Sequence, residues 1–153
     1  MKKLLLSLAF VLSLGLSVMA QQNEYEYLKT QFSADRKTLL MSYLKLSETD
    51  AAKFWPIYAN YEKERSQLGD QRFANLKNYA AQYATLTPEQ AEQFEKNYFA
   101  FRGKEASIQK KYFAQLKKAV GTKTAYAWLQ FEDYIDTAVR FEVLSNIPFV
   151  NEK

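Results

Sequence analysis

Two stretches of this chain repeat each other forty positions apart, and that repeat limits the fold more than any other feature. Leu46-Ser47-Glu48-Thr49-Asp50-Ala51-Ala52-Lys53-Phe54 aligns with Leu86-Thr87-Pro88-Glu89-Gln90-Ala91-Glu92-Gln93-Phe94. The register continues with Tyr58 against Tyr98 and Tyr61 against Phe101, and upstream with Tyr43 against Tyr83. Each copy opens on a capping residue and runs into an aromatic stripe at steps of three and four, the spacing of one helix face. The chain therefore reads as duplicated helical units, a pattern suited to a binding or scaffold protein.

The second copy is the stronger helix start. Thr87 can cap, Pro88 takes the first helical position where its missing amide costs nothing, and Gln90 stands where a capping box needs its acceptor. In the first copy Ser47 can accept from the amide of Asp50, and Asp50 is a shorter stand-in for Gln. From Ser47 the apolar seam is Phe54, Tyr58, Tyr61, Leu68, Leu76, Tyr79 and Tyr83. Pro56 lacks the amide that would bond the carbonyl of Ala52, so a kink is expected there, and Gly69-Asp70 is a second weak point. From Thr87 to about Ala119 the seam is Phe94, Tyr98, Phe101, Ile108, Tyr112, Leu116 and Ala119, with Gly121 suited to a C-cap.

Outside the repeat the signals differ in strength. Ser33 is a candidate N-cap for a short helix over Arg36 to Leu44, and residues 21–32 read as a flexible lead-in without clean periodicity. A last helix over about Thr124 to Leu144 carries Trp128, Leu129, Phe131, Ile135, Ala138, Val139 and Phe141, too many for one stripe. Such a helix sits centrally in its bundle or is covered by a partner subunit. Asn146-Ile147-Pro148 ends it. No alternating strand pattern occurs, so the fold class expected is all-α, one helical domain over residues 33–150.

The first twenty residues read as an export signal. Lys2 and Lys3 precede an apolar run from Leu4 to Leu16, and Val18-Met19-Ala20 supplies small residues at the cleavage positions. The run is too short and wrongly flanked for a stable membrane span. A mature chain starting at Gln21, in the periplasm, is expected. Export normally invites disulfides, yet the sequence has no cysteine, so stability must come from packing. With 11 Tyr, 11 Phe and 2 Trp it has large rings to bury.

The absence of both histidine and cysteine removes the usual zinc, copper and haem ligand sets. No calcium-type spacing of acids is present, so no metal and no cofactor is expected. Nucleophilic catalysis would need a Ser-Lys pair or paired carboxylates. The acids instead alternate with lysines along helix faces, as on solvated surfaces, and a phosphate-cradling loop is lacking with only 4 glycines in the chain. An enzyme is not expected.

Charge is more telling in its distribution than in its total of +4. Between Phe94 and Lys123 stand eight bases, Lys96, Arg102, Lys104, Lys110, Lys111, Lys117, Lys118 and Lys123, against Glu95 and Glu105 alone. From Thr124 onward acids outnumber bases. One reading is a basic surface, interleaved with aromatics, for acidic or unfolded clients. The other places Lys110 to Lys118 near a helix C-terminus, where the dipole favours cations. Nucleic acid fits poorly with an exported, mildly basic chain.

Leu86-Thr87-Pro88-Glu89-Gln90 resembles the LTxxQ motif of the Spy/CpxP family of periplasmic chaperones and envelope-stress proteins. The repeat places a second, degenerate copy at Leu46, Ser47 and Asp50, with Ser for Thr and Asp for Gln. The Phe54-Trp55-Pro56-Ile57-Tyr58 segment and the Ile147-Pro148 ending are also similar to exported relatives of that group. The resemblance covers about Asp35 to Val150. It implies a four-helix fold, a long bent antiparallel hairpin with flanking helices, dimerising into a curved cradle with coiled-coil character. It further implies binding of non-native proteins without ATP, or restraint of an envelope sensor domain; a purely structural helical dimer is the third reading. Under the chaperone reading Tyr98, Phe101, Arg102, Lys111 and Tyr112 are the expected client contacts. Leu46, Ser47, Asp50, Leu86, Thr87 and Gln90 are structural.

Overall fold

A computed structural model of the chain describes residues 18–145, 147, 148 and 150. They form four α-helices: α1 (Val18–Leu44), α2 (Glu48–Gln82), α3 (Pro88–Val120) and α4 (Thr122–Leu144), with a 3-10 turn (Tyr83–Thr85) between α2 and α3. No strand occurs among the described residues, so the fold is all-α. No described helix is long and apolar enough to cross a membrane. Of the leader reading, residues 1–17 lie outside the described residues, and Val18 to Ala20 belong to α1.

The boundaries follow the local chemistry where that chemistry is strong. Thr87 accepts from the Gln90 amide (3.3 Å) and the Gln90 side-chain oxygen accepts from the Thr87 amide (2.9 Å), a complete capping box. Ser47 accepts from the Asp50 amide (3.2 Å), and the cap of α2 consists of that one-way bond. Gly121 closes α3 with φ 87° and its amide on the Lys117 carbonyl (3.2 Å); the positive φ is why glycine suits this position. Lys45 ends α1 with φ 46°, a conformation less comfortable for a residue with a Cβ.

Two expectations need correction, and at two expected weak points the helix stays unbroken. Residues 21–32, read as a flexible lead-in, lie within α1, and Ser33 is inside that helix and not its cap. Pro56 does not interrupt α2, which runs 35 residues through it. One lost hydrogen bond is outweighed there by aromatic packing on both sides of the proline. Phe54 stacks on Tyr58 at 5.8 Å, and Trp55 meets both rings edge-on at 5.0 and 5.6 Å. Gly69 is likewise an ordinary helical residue.

The chain divides into two compact units. The first comprises Leu46–Leu129 with Pro148–Lys153, and the second Met1–Lys45 with Gln130–Ile147. In the first, α2 and α3 pair as an antiparallel hairpin: Glu64 meets Lys111, Arg72 meets Glu105, Asn75 meets Asn97 and Tyr79 meets Phe94, one set of numbers rising as the other falls. Its core is Phe54, Tyr58, Tyr61 and Leu68 from α2, Tyr112 and Leu116 from α3, and Ala125 and Trp128 from the start of α4. Tyr61 is the hub, edge-on to Tyr112 at 5.6 Å and to Trp128 at 4.9 Å. Between Gly69 and Lys111 no residue is fully buried. This stretch is a two-helix arm, in which every residue keeps some exposure.

The second unit uses charge where the first uses rings. Arg36 and Glu132 are both fully buried and directly paired through Nη2 and Oε2, and the same Nη2 donates to Asp136 Oδ1 (3.0 Å). The guanidinium also stands 5.9 Å from the Phe32 ring. Leu40 and Phe131 complete the interior, with Tyr43 packed on Phe131 at 5.8 Å. Removing one partner of such a pair costs about 3–5 kcal/mol, because the other charge is stranded.

Candidate functional site: the aromatic and basic face of the hairpin arm

The site is built on α3, whose seam turns Phe94, Phe101 and Ile108 toward α2, all half-buried. Tyr98, expected on that seam, is corrected: it is 59% exposed, as its neighbour Phe99 is at 64%, and their rings meet edge to face at 5.3 Å. Arg102, one turn beyond Tyr98, is exposed and donates to Glu105 (3.0 Å). Glu105 also accepts from Arg72 (3.1 Å), which locks α3 to α2 at this level. Lys96 and Lys104 are exposed. The Lys96 ammonium stands 3.9 Å from Glu92, at the edge of ion-pair range. The result is two uncovered rings on a helix face backed by a second helix, with exposed Glu95 one turn before them and Arg102 one turn after Tyr98.

The turn end of the arm is fastened by amides. Gln90 donates to Gln82 (2.8 Å) with its Nε2 while its Oε1 receives the Thr87 amide. One side chain thus caps α3 and clasps the end of α2, a double task that needs an amide and that Asp50 could not perform in the other copy. Asn97 donates to Asn75 (2.6 Å) and accepts from Gln93 (3.0 Å). The amide of Glu89 itself, and then the Thr87 hydroxyl, hold the Glu89 carboxyl below its ordinary value.

At the core end of the arm, Glu64 collects two donors. Lys111 gives it a bond of 2.6 Å and the Tyr112 hydroxyl one of 2.8 Å, with the Lys111 ammonium 4.9 Å from the Tyr112 ring centre. The Lys111 bond, then the Tyr112 bond, lowers the Glu64 pKa. The same carboxylate raises that of Lys111. Burial first, and Glu64 second, raises Tyr112.

Of the five expected contacts, the structure leaves Tyr98 and Arg102 on the open face. Phe101 is turned inward, and Lys111 is exposed but engaged by Glu64. Tyr112 is corrected: it is 3% exposed, packed on Tyr61, and is a core residue. The physical reason is that Tyr112 lies on the apolar seam, and a seam is what a helix buries. Phe99 was missed for the converse reason. Its one detectable signal was an aromatic ring lying off the seam.

No family model, curated protein or solved structure matches this chain.

Proposed function

We propose that this chain is an exported, ATP-independent protein-binding protein that holds apolar, acidic segments of non-native proteins on the arm of its hairpin. The observation that carries this reading is the exposed Tyr98–Phe99 pair, with Arg102 one turn beyond Tyr98, on an arm that buries none of its residues. Uncovered aromatic rings rimmed by charge are typical of a surface that receives a partner. The excess of bases between Phe94 and Lys123 favours a partner of opposite sign. Kinship with the Spy/CpxP group is supported by the reciprocal cap at Thr87 and its one-way counterpart at Ser47. The periplasm is the compartment we propose. A homodimer is supported by the exposed Tyr134, Phe141 and Leu144 on α4.

The test is suppression of aggregation of an unfolded protein by the purified chain without ATP. Suppression near equimolar ratio is expected, weakened severalfold in the Tyr98→Ser/Phe99→Ser double variant. No suppression by the natural chain at several-fold molar excess would sink the reading.

A further inference from the structure

Tyr79 of α2 makes a contact that the hairpin does not need for itself. Its ring packs edge-on against Phe94 at 5.5 Å, and its hydroxyl donates to the main-chain carbonyl of Pro148 (2.9 Å). Pro148 lies beyond α4 and outside any helix. It belongs to the hairpin's unit, whereas α4 ends in the other. The chain leaves α4 through a short turn, with the Ser145 amide on the Phe141 carbonyl (3.0 Å) and the Ile147 amide on that of Leu144 (3.4 Å). Proline, without an amide to donate, then disfavours a further turn.

The Tyr79 hydroxyl thus holds a peptide carbonyl beside an aromatic pair, and aromatic-lined surfaces that take proline-bearing peptides combine contacts of these two kinds. The ring supplies apolar contact, and the preset proline backbone lowers the ordering cost. Phe94 stands four residues before Tyr98 on α3, so this platform adjoins the exposed pair described above. The arm offers no enclosed core at this level, so Pro148 lies on a surface.

We propose that the Tyr79–Phe94 pair is a receptor for proline-bearing apolar peptides, held through a main-chain carbonyl, occupied in the resting chain by Pro148 and vacated when a client segment replaces it. The client half of this statement rests on the protein-binding reading above; the receptor half does not. The segment acts as an intramolecular competitor, so loosening it raises apparent affinity for peptides while leaving the receptor intact.

The chain has no cysteine, so a single Val150→Cys change, at an exposed position, carries a fluorophore that reports the segment's mobility. The probe is a synthetic peptide with the sequence of residues 145–153, with its scrambled counterpart as control. In the labelled full chain, the peptide is expected to lower fluorescence anisotropy and the scrambled one to leave it unchanged. Pro148→Gly, which keeps the carbonyl but adds backbone freedom, should bind the peptide about threefold tighter. Tyr79→Phe should free the label. It weakens segment and peptide alike, so its own affinity stays near that of the natural chain. Added to Pro148→Gly, however, it should weaken peptide binding about threefold to tenfold, the worth of one neutral hydrogen bond. A label equally mobile in all variants, or a peptide that Pro148→Gly does not tighten, overturns the receptor. A peptide that competes where an unfolded protein does not would keep the receptor and remove the client reading.

Discussion

The two copies of the repeat begin helices of nearly equal length, 35 and 33 residues, and meet opposite fates. In the first, Phe54, Tyr58 and Tyr61 are buried; in the second, Phe94 and Phe101 are half-buried and Tyr98 is open. The reason lies in antiparallel pairing. The start of α2 faces the end of α3 and is joined there by Ala125 and Trp128 of α4. The start of α3 faces the end of α2, and no α4 residue is buried against it among the described residues. Local and tertiary support are thus complementary. The copy with three buried rings manages on a one-way serine cap, and the copy without a core has the full reciprocal box.

The largest test of that contrast substitutes the equivalent phenylalanines. Phe54→Ala should cost about 3–5 kcal/mol by urea denaturation, as full burial of the ring implies. Phe94→Ala, half-buried, should cost about half as much. Equal losses would break the comparison. The caps should rank the other way: Thr87→Ala costs about 1–2 kcal/mol and Ser47→Ala about 0.5 kcal/mol. If Ser47→Ala proved the costlier, the idea that the core relieves the first cap would fail.

A smaller effect concerns the acid–base pair at the core end of the arm. Glu64 has a depressed pKa, so its contribution is complete above the ordinary 4.5 and is lost as pH falls through the folded value. Lys111 and Tyr112 have raised values. Their contributions are complete below the ordinary 10.5 and 10.0 and are lost as pH rises through the folded ones. The stability of Glu64→Gln should therefore vary less with pH than that of the natural chain at both extremes. Parallel curves would show that the cluster adds nothing. Smallest in stability is Tyr98→Ser, expected within about 0.5 kcal/mol as at an ordinary surface site. It should nonetheless reduce suppression of client aggregation.

Much of the hairpin was legible in the chain. Thr87-Pro88-Glu89-Gln90 and Gly121 mark the ends of α3, because capping chemistry is local, and the seam through Phe54, Tyr58 and Tyr61 is buried as its spacing predicts. The extent of α1 was not legible, since its first half is polar and without a clean period. Arg36 and Glu132 were invisible as partners, because nothing local joins residues 96 positions apart. On α3, periodicity was read backwards for contacts: it locates what is covered, so it promoted Tyr112 and passed over Phe99.

That separation of Arg36 from Glu132 also orders events in time. Asn75 and Asn97 lie 22 positions apart across the arm, against 96 for the buried charges. Closing a longer loop costs more entropy, and contacts between distant residues are made late. The shorter loops of the hairpin favour its closing before Arg36 meets Glu132. Among the side-chain pairs described, the Arg36 cluster therefore closes the longest loops and bears the largest entropy cost of closure.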